Sequence, residues 1–234
     1  MRGCLFVLIA AVLVVGVAAW FGSPILASAV VDAGLRTAGF ESASMTTTVS
    51  GDPPPRLLLG HADSVRVQAE DVSFRTFHAG RLDLTMADVD LVGRSFATIR
   101  GSITGAEVNT ADNVPTTADV AIDGDASNAA AVIRLDGATV DRVIAATLAT
   151  QIPSSVTRTE LVAPNIVQIV TPTFTLEGRI VVDASGAIAL ENRLGRAPVL
   201  RLDPSFPLRL RSATVVDGDL RIDATLDAER LFGG

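Results

Sequence analysis

The chain is short of the residue types on which most binding and catalytic sites depend. It has no lysine, so all 19 basic residues are arginine, and it has no tyrosine, one tryptophan and two histidines. Its one cysteine, Cys4, has no partner for an intrachain disulfide. The formal net charge is −7 and no basic cluster occurs. We therefore expect no nucleic-acid partner, because contacts to phosphates supply much of that affinity.

Recognisable catalytic and metal-binding motifs are also missing. No Gly-x-Ser-x-Gly, phosphate loop or His-x-x-x-His pattern occurs, and His61 and His78 stand apart in the sequence. Asp119, Asp123 and Asp125 have the charge of a calcium loop but lack its later ligands. We predict no enzyme activity, no cofactor and no metal site, with both histidines solvated at strand edges or turns.

One long hydrophobic run is present near the start of the chain. Residues Leu5 to Phe21 are apolar apart from one glycine, Arg2 precedes them, and the next charge is Asp32. A helix needs about 20 apolar residues to cross a membrane. The order of the charges favours an N-terminus inside the cell. The run therefore predicts a membrane segment, with the rest of the chain outside the cytoplasm.

Two interpretations of this N-terminal segment remain open. Ala27-Ser28-Ala29 is a small-residue motif of the kind that signal peptidases cleave, which would release a secreted envelope protein. The run is long for a signal peptide, which favours a retained anchor in the cell membrane. We assign residues 1–29 to this segment and residues 30–234 to one domain, because no linker divides the remainder.

The stretch after the prolines at 53–55 repeats a strand pattern every 17 residues. The copies cover residues 65–74, 82–91 and 99–108, and apolar residues alternate with polar ones in each. A period of two is typical of strands with one buried face. The alternation slips by one residue inside each copy, which predicts either a β-bulge or a tight turn. We expect a meander of long, bent antiparallel strands or, if the slips are turns, short hairpins.

The rest of the chain is predicted to be strands around one amphipathic helix. That helix begins at Asp136 or Thr139, ends before Pro153, and places an apolar stripe on one side. Strands are predicted over residues 116–135, with a turn at 123–125, and over 157–170. The pair Asp217-Gly218 predicts a late hairpin turn. A short helix over residues 25–40 is predicted to bury Ile25, Val30, Val31, Leu35 and Phe40.

The main question left by these elements is what buries the apolar face of the sheet. An antiparallel sheet must bury its apolar face, and one helix is a small cover for so many strands. Either side chains fill the core, or acyl chains occupy an apolar groove. In the second case the lining residues are Val65, Val67, Leu82, Leu84, Val140, Val143, Ile144 and Leu148. Arg209 and Arg211 share one side of a strand and either contact a lipid phosphate or form a solvated face.

Three segments carry a resemblance to a known family. They read GHADSVRVQA at residues 60–69, GRLDLTMADV at 80–89 and PLRLRSATVVDGDLRI at 207–222. In spacing and residue type they resemble the LmeA-like family of phospholipid-binding proteins of the actinobacterial cell envelope. The resemblance covers roughly residues 28–230.

The resemblance implies an α+β fold, predominantly antiparallel β, in which a curved sheet wraps around an amphipathic helix. Such a fold is similar to tubular lipid-binding domains. The implied function is binding of phospholipid in an apolar groove outside the cytoplasm, for lipid transfer or assembly of envelope glycolipids. The alternative is a structural module with a filled core that docks an envelope protein or glycan through a sheet edge.

Overall fold

The computed structural model of the protein describes residues 22–74, 77–108, 116–149, 156–183, 186–193, 195–200, 207–228 and 230. Within these ranges the chain forms mostly antiparallel strands with a few helices, which confirms an α+β, predominantly antiparallel β fold. The predicted membrane segment at Leu5 to Phe21 lies outside the described residues. In the part that the structure describes, no helix has the length and apolar character that crossing a membrane requires.

The helices are α1 at residues 22–37, the 3-10 helix η1 (Pro54–Leu59) and α2 (Gly137–Ala149). The strands are β1 (Phe40–Glu41), β2 (Ser44–Ser50), β3 (His61–Phe74), β4 (Phe77–Asp90), β5 (Thr98–Val108), β6 (Thr116–Asp125), β7 (Ala129–Leu135), β8 (Arg158–Val162), β9 (Ile166–Val170), β10 (Thr175–Val182), β11 (Ile188–Asn192), β12 (Gly195–Leu200), β13 (Leu208–Val216) and β14 (Asp219–Leu226). A nine-stranded sheet has the order β1-β3-β4-β5-β6-β7-β14-β13, with β2 also paired to β3. A five-stranded sheet has the order β12-β11-β10-β9-β8.

The repeated sequence pattern forms β3, β4 and β5, and the predicted bulge is confirmed in β5. Asp71, Asp88 and Gly105 hold equivalent positions in the three copies and have φ angles of 49°, 50° and 64°. The pairing of β5 with β6 shifts register between Ile103 and Ala106, so Gly105 lies in a β-bulge. The pairing of β3 with β4 keeps its register, and Asp71 and the opposing Gly80 are both left out of it. The alternation of buried residues slips at these positions, and the apolar side chains stay on the inner face.

The two faces of the large sheet differ in polarity. The outer face is solvated and carries cross-strand ion pairs, with N···O distances of 2.7 Å for Arg66–Asp83 and 2.9 Å for Arg100–Asp123. Both pairs are largely exposed, so they contribute little to stability. The inner face carries alternating apolar residues and forms the core.

Helix α1 packs on the inner face of the large sheet. Near its start, the Ser23 hydroxyl donates a hydrogen bond of 2.8 Å to the carbonyl oxygen of Pro54 in η1. Beyond its end, Phe40 in β1 pairs with Phe74 at the far end of β3. The sixteen helical residues span about 24 Å at 1.5 Å each, roughly half of the ~46 Å that the fourteen residues of β3 span at about 3.3 Å each.

The predicted helix over residues 25–40 is wrong in its extent and partly in its buried side. It covers residues 22–37 in the structure, and Phe40 belongs to β1. Ile25 and Val30 are 73% and 65% exposed. The inward stripe runs through positions 23, 27, 31 and 35, four residues apart, so Ile25 and Val30 lie on another side of the helix.

Helix α2 packs between the large sheet and the small one, and its prediction is confirmed. Asp136 is the cap: the backbone N–H of Thr139 donates to its carboxylate at 2.9 Å. The side-chain and backbone hydrogen bonds of Thr139 lower the pKa of Asp136. Three residues of the small sheet, Val167, Ile169 and Leu190, are completely buried in the cluster around α2. The small sheet therefore closes the far side of α2.

Two further predictions are corrected. Residues 157–170 form two strands, β8 and β9, separated by a turn at Pro164, because proline cannot donate a hydrogen bond to a ladder. The carbonyl oxygen of Pro164 accepts a hydrogen bond of 2.7 Å from the N–H of Val215, which joins this turn to edge strand β13. The turn predicted at 123–125 lies three residues later, and Gly124 still pairs with Ile99 in the sheet.

Candidate functional site

The apolar interior consists of two clusters that adjoin on the inner face of the large sheet. The first is formed by α1 and strands β2 to β6, and the second surrounds α2 and includes the small sheet. Strand β7 contributes to both, with Ala131 in the first cluster and Ile133 in the second. The two clusters therefore follow one another along the same strands.

A group of half-buried side chains lies where the clusters meet. Val120 of β6 and Leu208 and Leu210 of β13 pack against both clusters, and Ile103 of β5, the register partner of Val120, packs against the first. We call Ile103, Val120, Leu208 and Leu210 the seam. Their apolar surface is only partly removed from water, so further apolar cover at the seam is favourable.

The register places the seam between the two clusters. Leu82 of β4 pairs with Ile103, Ile103 with Val120, and Val120 with Ile133 of β7, so these four form one row across the inner face. Leu82 belongs to the first cluster and Ile133 to the second, and both are buried. Ile103 and Val120, between them, are only half-buried.

Small residues flank the seam on the inner face. Ala79, Ala106 and Ala118 are register partners on β4, β5 and β6. On the other side of the row, Gly101 pairs with Leu84, and a Cβ at position 101 would lie 2.0 Å from the backbone oxygen of Asp83. These positions therefore carry little side-chain volume above the sheet.

The eight lining residues predicted from the sequence all belong to this interior, in two separate groups. Those on β3 and β4 lie in the first cluster and those on α2 in the second, and each is 7% exposed or less: Val65, Val67, Leu82, Leu84, Val140, Val143, Ile144 and Leu148. The structure does not bring the two groups around one space.

The sequence analysis underestimated how many elements pack on the inner face of the large sheet. The sequence interpretation gave the sheet one helix, whereas α1 and the small sheet bury much of the inner face as well. The seam residues were recognised as strand residues but not as a site. Alternation identifies which side chains point inward, whereas their half-burial depends on where α1 and the small sheet end, and local sequence carries no signal for this.

The polar candidates lie away from the seam. His61 pairs with Asp90 and His78 with Ser73, which places the two histidines at opposite ends of β3 and β4. Among the described residues, no group of three or more His, Cys, Asp or Glu is arranged to hold a metal ion.

The two candidate phosphate ligands from the sequence are exposed. Arg209 and Arg211 alternate along β13 with the inward Leu208 and Leu210, so their side chains lie on the opposite face. This placement agrees with the solvated strand face, which was one of the two interpretations.

Comparison with known proteins gives one family. A family model described as LmeA-like phospholipid-binding matches residues 16–225 of the chain. The matched span includes α1, α2 and all four seam residues. No curated protein and no solved structure matches the chain.

Proposed function

Because the chain belongs to the LmeA-like phospholipid-binding family, we propose that it binds phospholipid with an acyl chain laid over the seam. The observation that carries this proposal is the half-burial of Ile103, Val120, Leu208 and Leu210 between two otherwise buried clusters. The eight residues predicted from the sequence remain predicted lipid contacts, at the two ends of the interior to which the seam leads.

The energetics of such a site suit exchange of lipid with a membrane. Each methylene removed from water contributes about 0.8 kcal/mol, so an apolar strip can retain an acyl chain without a charged anchor. Within a bilayer the same chain already has apolar surroundings. Transfer between bilayer and protein therefore has a small net driving force. This supports a carrier of phospholipid, for lipid transfer or glycolipid assembly, acting by binding rather than catalysis.

We also propose that the domain lies outside the cytoplasm and that its N-terminal membrane segment is retained. The support for retention is that α1 runs through the cleavage motif at residues 27–29. Ser23 and Ala27 are buried in the described structure, and Ser23 is hydrogen-bonded to Pro54. Cleavage near Ala29 would remove both from the fold.

Native mass spectrometry of the purified protein tests lipid binding. We expect phospholipid to co-purify with the protein, and an Ile103→Asp substitution to reduce its occupancy several-fold, since a charge in an apolar site is costly. Thr104→Asp is the matched control: it adds the same charge one residue away, on the exposed outer face beside Arg81.

A Val120→Trp substitution covers the case in which the charged variant does not fold. The indole adds apolar volume over the seam, so we expect a folded protein that retains less phospholipid. A folded wild-type protein that carries no lipid, even after incubation with phospholipid vesicles, would contradict the proposal and favour the structural module.

A further inference from the structure

Large apolar side chains are exposed at one end of the large sheet. Five of them are between 55% and 78% exposed, and they come from the start of α1, from η1 and from the turn after β4. We call this set the end patch: Ile25, Leu26, Leu58, Leu59 and Val92. The other large apolar residues exposed in the described part are Val30, in the middle of α1, and Phe174 and Val216, which are 42% and 44% exposed.

Direct contacts hold the three segments of the end patch together. Besides the hydrogen bond from Ser23 of α1 to Pro54 of η1, the N–H of Leu91 donates to the carbonyl oxygen of Gly60 at 2.8 Å. A Cβ at Gly60 would lie 2.5 Å from Cγ2 of Val92, which places the turn after β4 directly against the end of η1.

Burial of one leucine fixes the orientation of η1. Leu57 is 5% exposed and belongs to the first cluster, whereas Leu58 and Leu59, which follow it, are 55% and 72% exposed. The 3-10 helix is thus anchored through one leucine and presents the next two to the surroundings. Exposing several large apolar groups in one place is unfavourable in water and typical of surfaces that bind something apolar.

The course of the chain indicates what covers the end patch. The apolar run from Leu5 to Phe21 directly precedes Gly22, the first residue of α1, and this end of α1 lies beside η1. If the run occupies a membrane, as proposed above, this end of the sheet faces the bilayer. Because the net charge is −7, apolar insertion rather than attraction to anionic headgroups would have to supply the contact.

We propose that the end patch inserts into the surface of a lipid bilayer and holds the domain upright on the membrane. This inference rests on the proposed N-terminal membrane segment for its choice of occupant, and it goes beyond lipid binding at the seam. The long axis of β3 and β4 then stands away from the bilayer, with the hairpin turn after β13 at the distant end.

Site-specific fluorescence quenching tests this arrangement in the full chain. In a Cys4→Ser background, a single cysteine is introduced by Leu59→Cys, Val92→Cys or Val216→Cys and labelled with an environment-sensitive fluorophore. The proteins are reconstituted in phosphatidylcholine–phosphatidylglycerol vesicles that contain nitroxide-labelled acyl chains. Val216 is the control because it is an exposed apolar residue at the opposite end of the large sheet.

We expect quenching at positions 59 and 92 to exceed that at position 216 several-fold. Leu58→Glu is expected to reduce quenching at position 92, whereas Val216→Glu leaves it unchanged. Quenching at 59 and 92 no greater than at 216 would overturn the proposal, including the case in which a protein partner covers the patch. Phospholipid retention measured on the same proteins reports separately on the seam, so failure of one proposal is distinguishable from failure of the other.

Discussion

Asp71 of β3 and Asp88 of β4 adopt the same left-handed backbone conformation, with φ angles of 49° and 50°. They are 17 residues apart and hold the same place in the sequence repeat, which Gly105 occupies in the third copy. Aspartate is one of the few residues other than glycine that enters this region readily. The repeat therefore encodes a residue of positive φ at a fixed position in three neighbouring strands, where the alternation slips while the apolar side chains stay on the inner face.

The positive φ of Asp88 predicts a graded response to substitution. Asp88→Gly is expected to be at least as stable as the wild type, because glycine has no steric penalty at positive φ. Asp88→Val is expected to lose about 1–2 kcal/mol, since a β-branched residue is strained there. Urea unfolding measures both, and equal stability of the two variants would argue against a positive φ at residue 88.

The close approach of β4 and β5 makes Gly101 irreplaceable. A Cβ at Gly101 would lie 2.0 Å from the backbone oxygen of Asp83, so Gly101→Ala must separate the strands and is expected to prevent folding or lower the midpoint of thermal unfolding strongly. Gly80→Ala is the control on the paired strand, where a Cβ would meet the nearest atom at an ordinary 3.5 Å. The prediction fails if circular dichroism melting shows the same midpoint for both variants.

The N-terminal part of α1 is expected to be required for stability. A chain that begins at residue 22 retains Ser23 and Ala27, whereas one that begins at residue 30 lacks their contacts with η1 and the first cluster. We expect the shorter chain to unfold at lower denaturant concentration or to aggregate. Two chains with identical unfolding midpoints would remove the support for a retained N-terminal segment.

The cap of α2 predicts a specific pH dependence. Asp136→Ala is expected to cost about 1 kcal/mol at neutral pH, a typical value for loss of an N-cap. The folded-state pKa of Asp136 is lowered, so its contribution is complete above the unfolded value of about 3.9 and is lost as the pH falls through the folded value. The stability difference between wild type and Asp136→Ala should therefore shrink on acidification.

Asp136→Asn separates the charge from the hydrogen bond. Asparagine still accepts the N–H of Thr139, so we expect this variant to keep most of the neutral-pH stability without the acid dependence attributable to residue 136. A wild-type advantage over Asp136→Ala that persists undiminished at acidic pH would show that the carboxylate is not the stabilising group.

Local sequence patterns predicted much of the fold. The strands β3 to β5, the bulge in β5, α2 with its cap and the hairpin at Asp217-Gly218 follow from periodicity, capping and turn chemistry, and that turn has positive φ at both residues. The buried side of α1 was mispredicted because its stripe contains small residues, Ser23 and Ala27, next to exposed Ile25. Hydropathy favours the large residues, whereas close packing against the sheet selected the small ones.

The candidate site was only partly predictable. Inward positions such as Leu84 and Val143 could be identified from alternation and helical spacing, and both are buried. Val120 is half-buried because it lies between two clusters, one that includes α1 and one that includes α2 and the small sheet, which are far apart in the sequence. This is a property of tertiary packing, so it appears only when the positions of α1 and the small sheet are known.

The most direct measurement is the location of a bound acyl chain. A phospholipid with a photoreactive diazirine in its acyl chain is incubated with the protein, irradiated and mapped by peptide mass spectrometry. We predict cross-links at the seam, to Ile103, Val120, Leu208 or Leu210, and their loss on competition with unlabelled phospholipid. Cross-links confined to the exposed outer face, or none that unlabelled phospholipid displaces, would contradict the account.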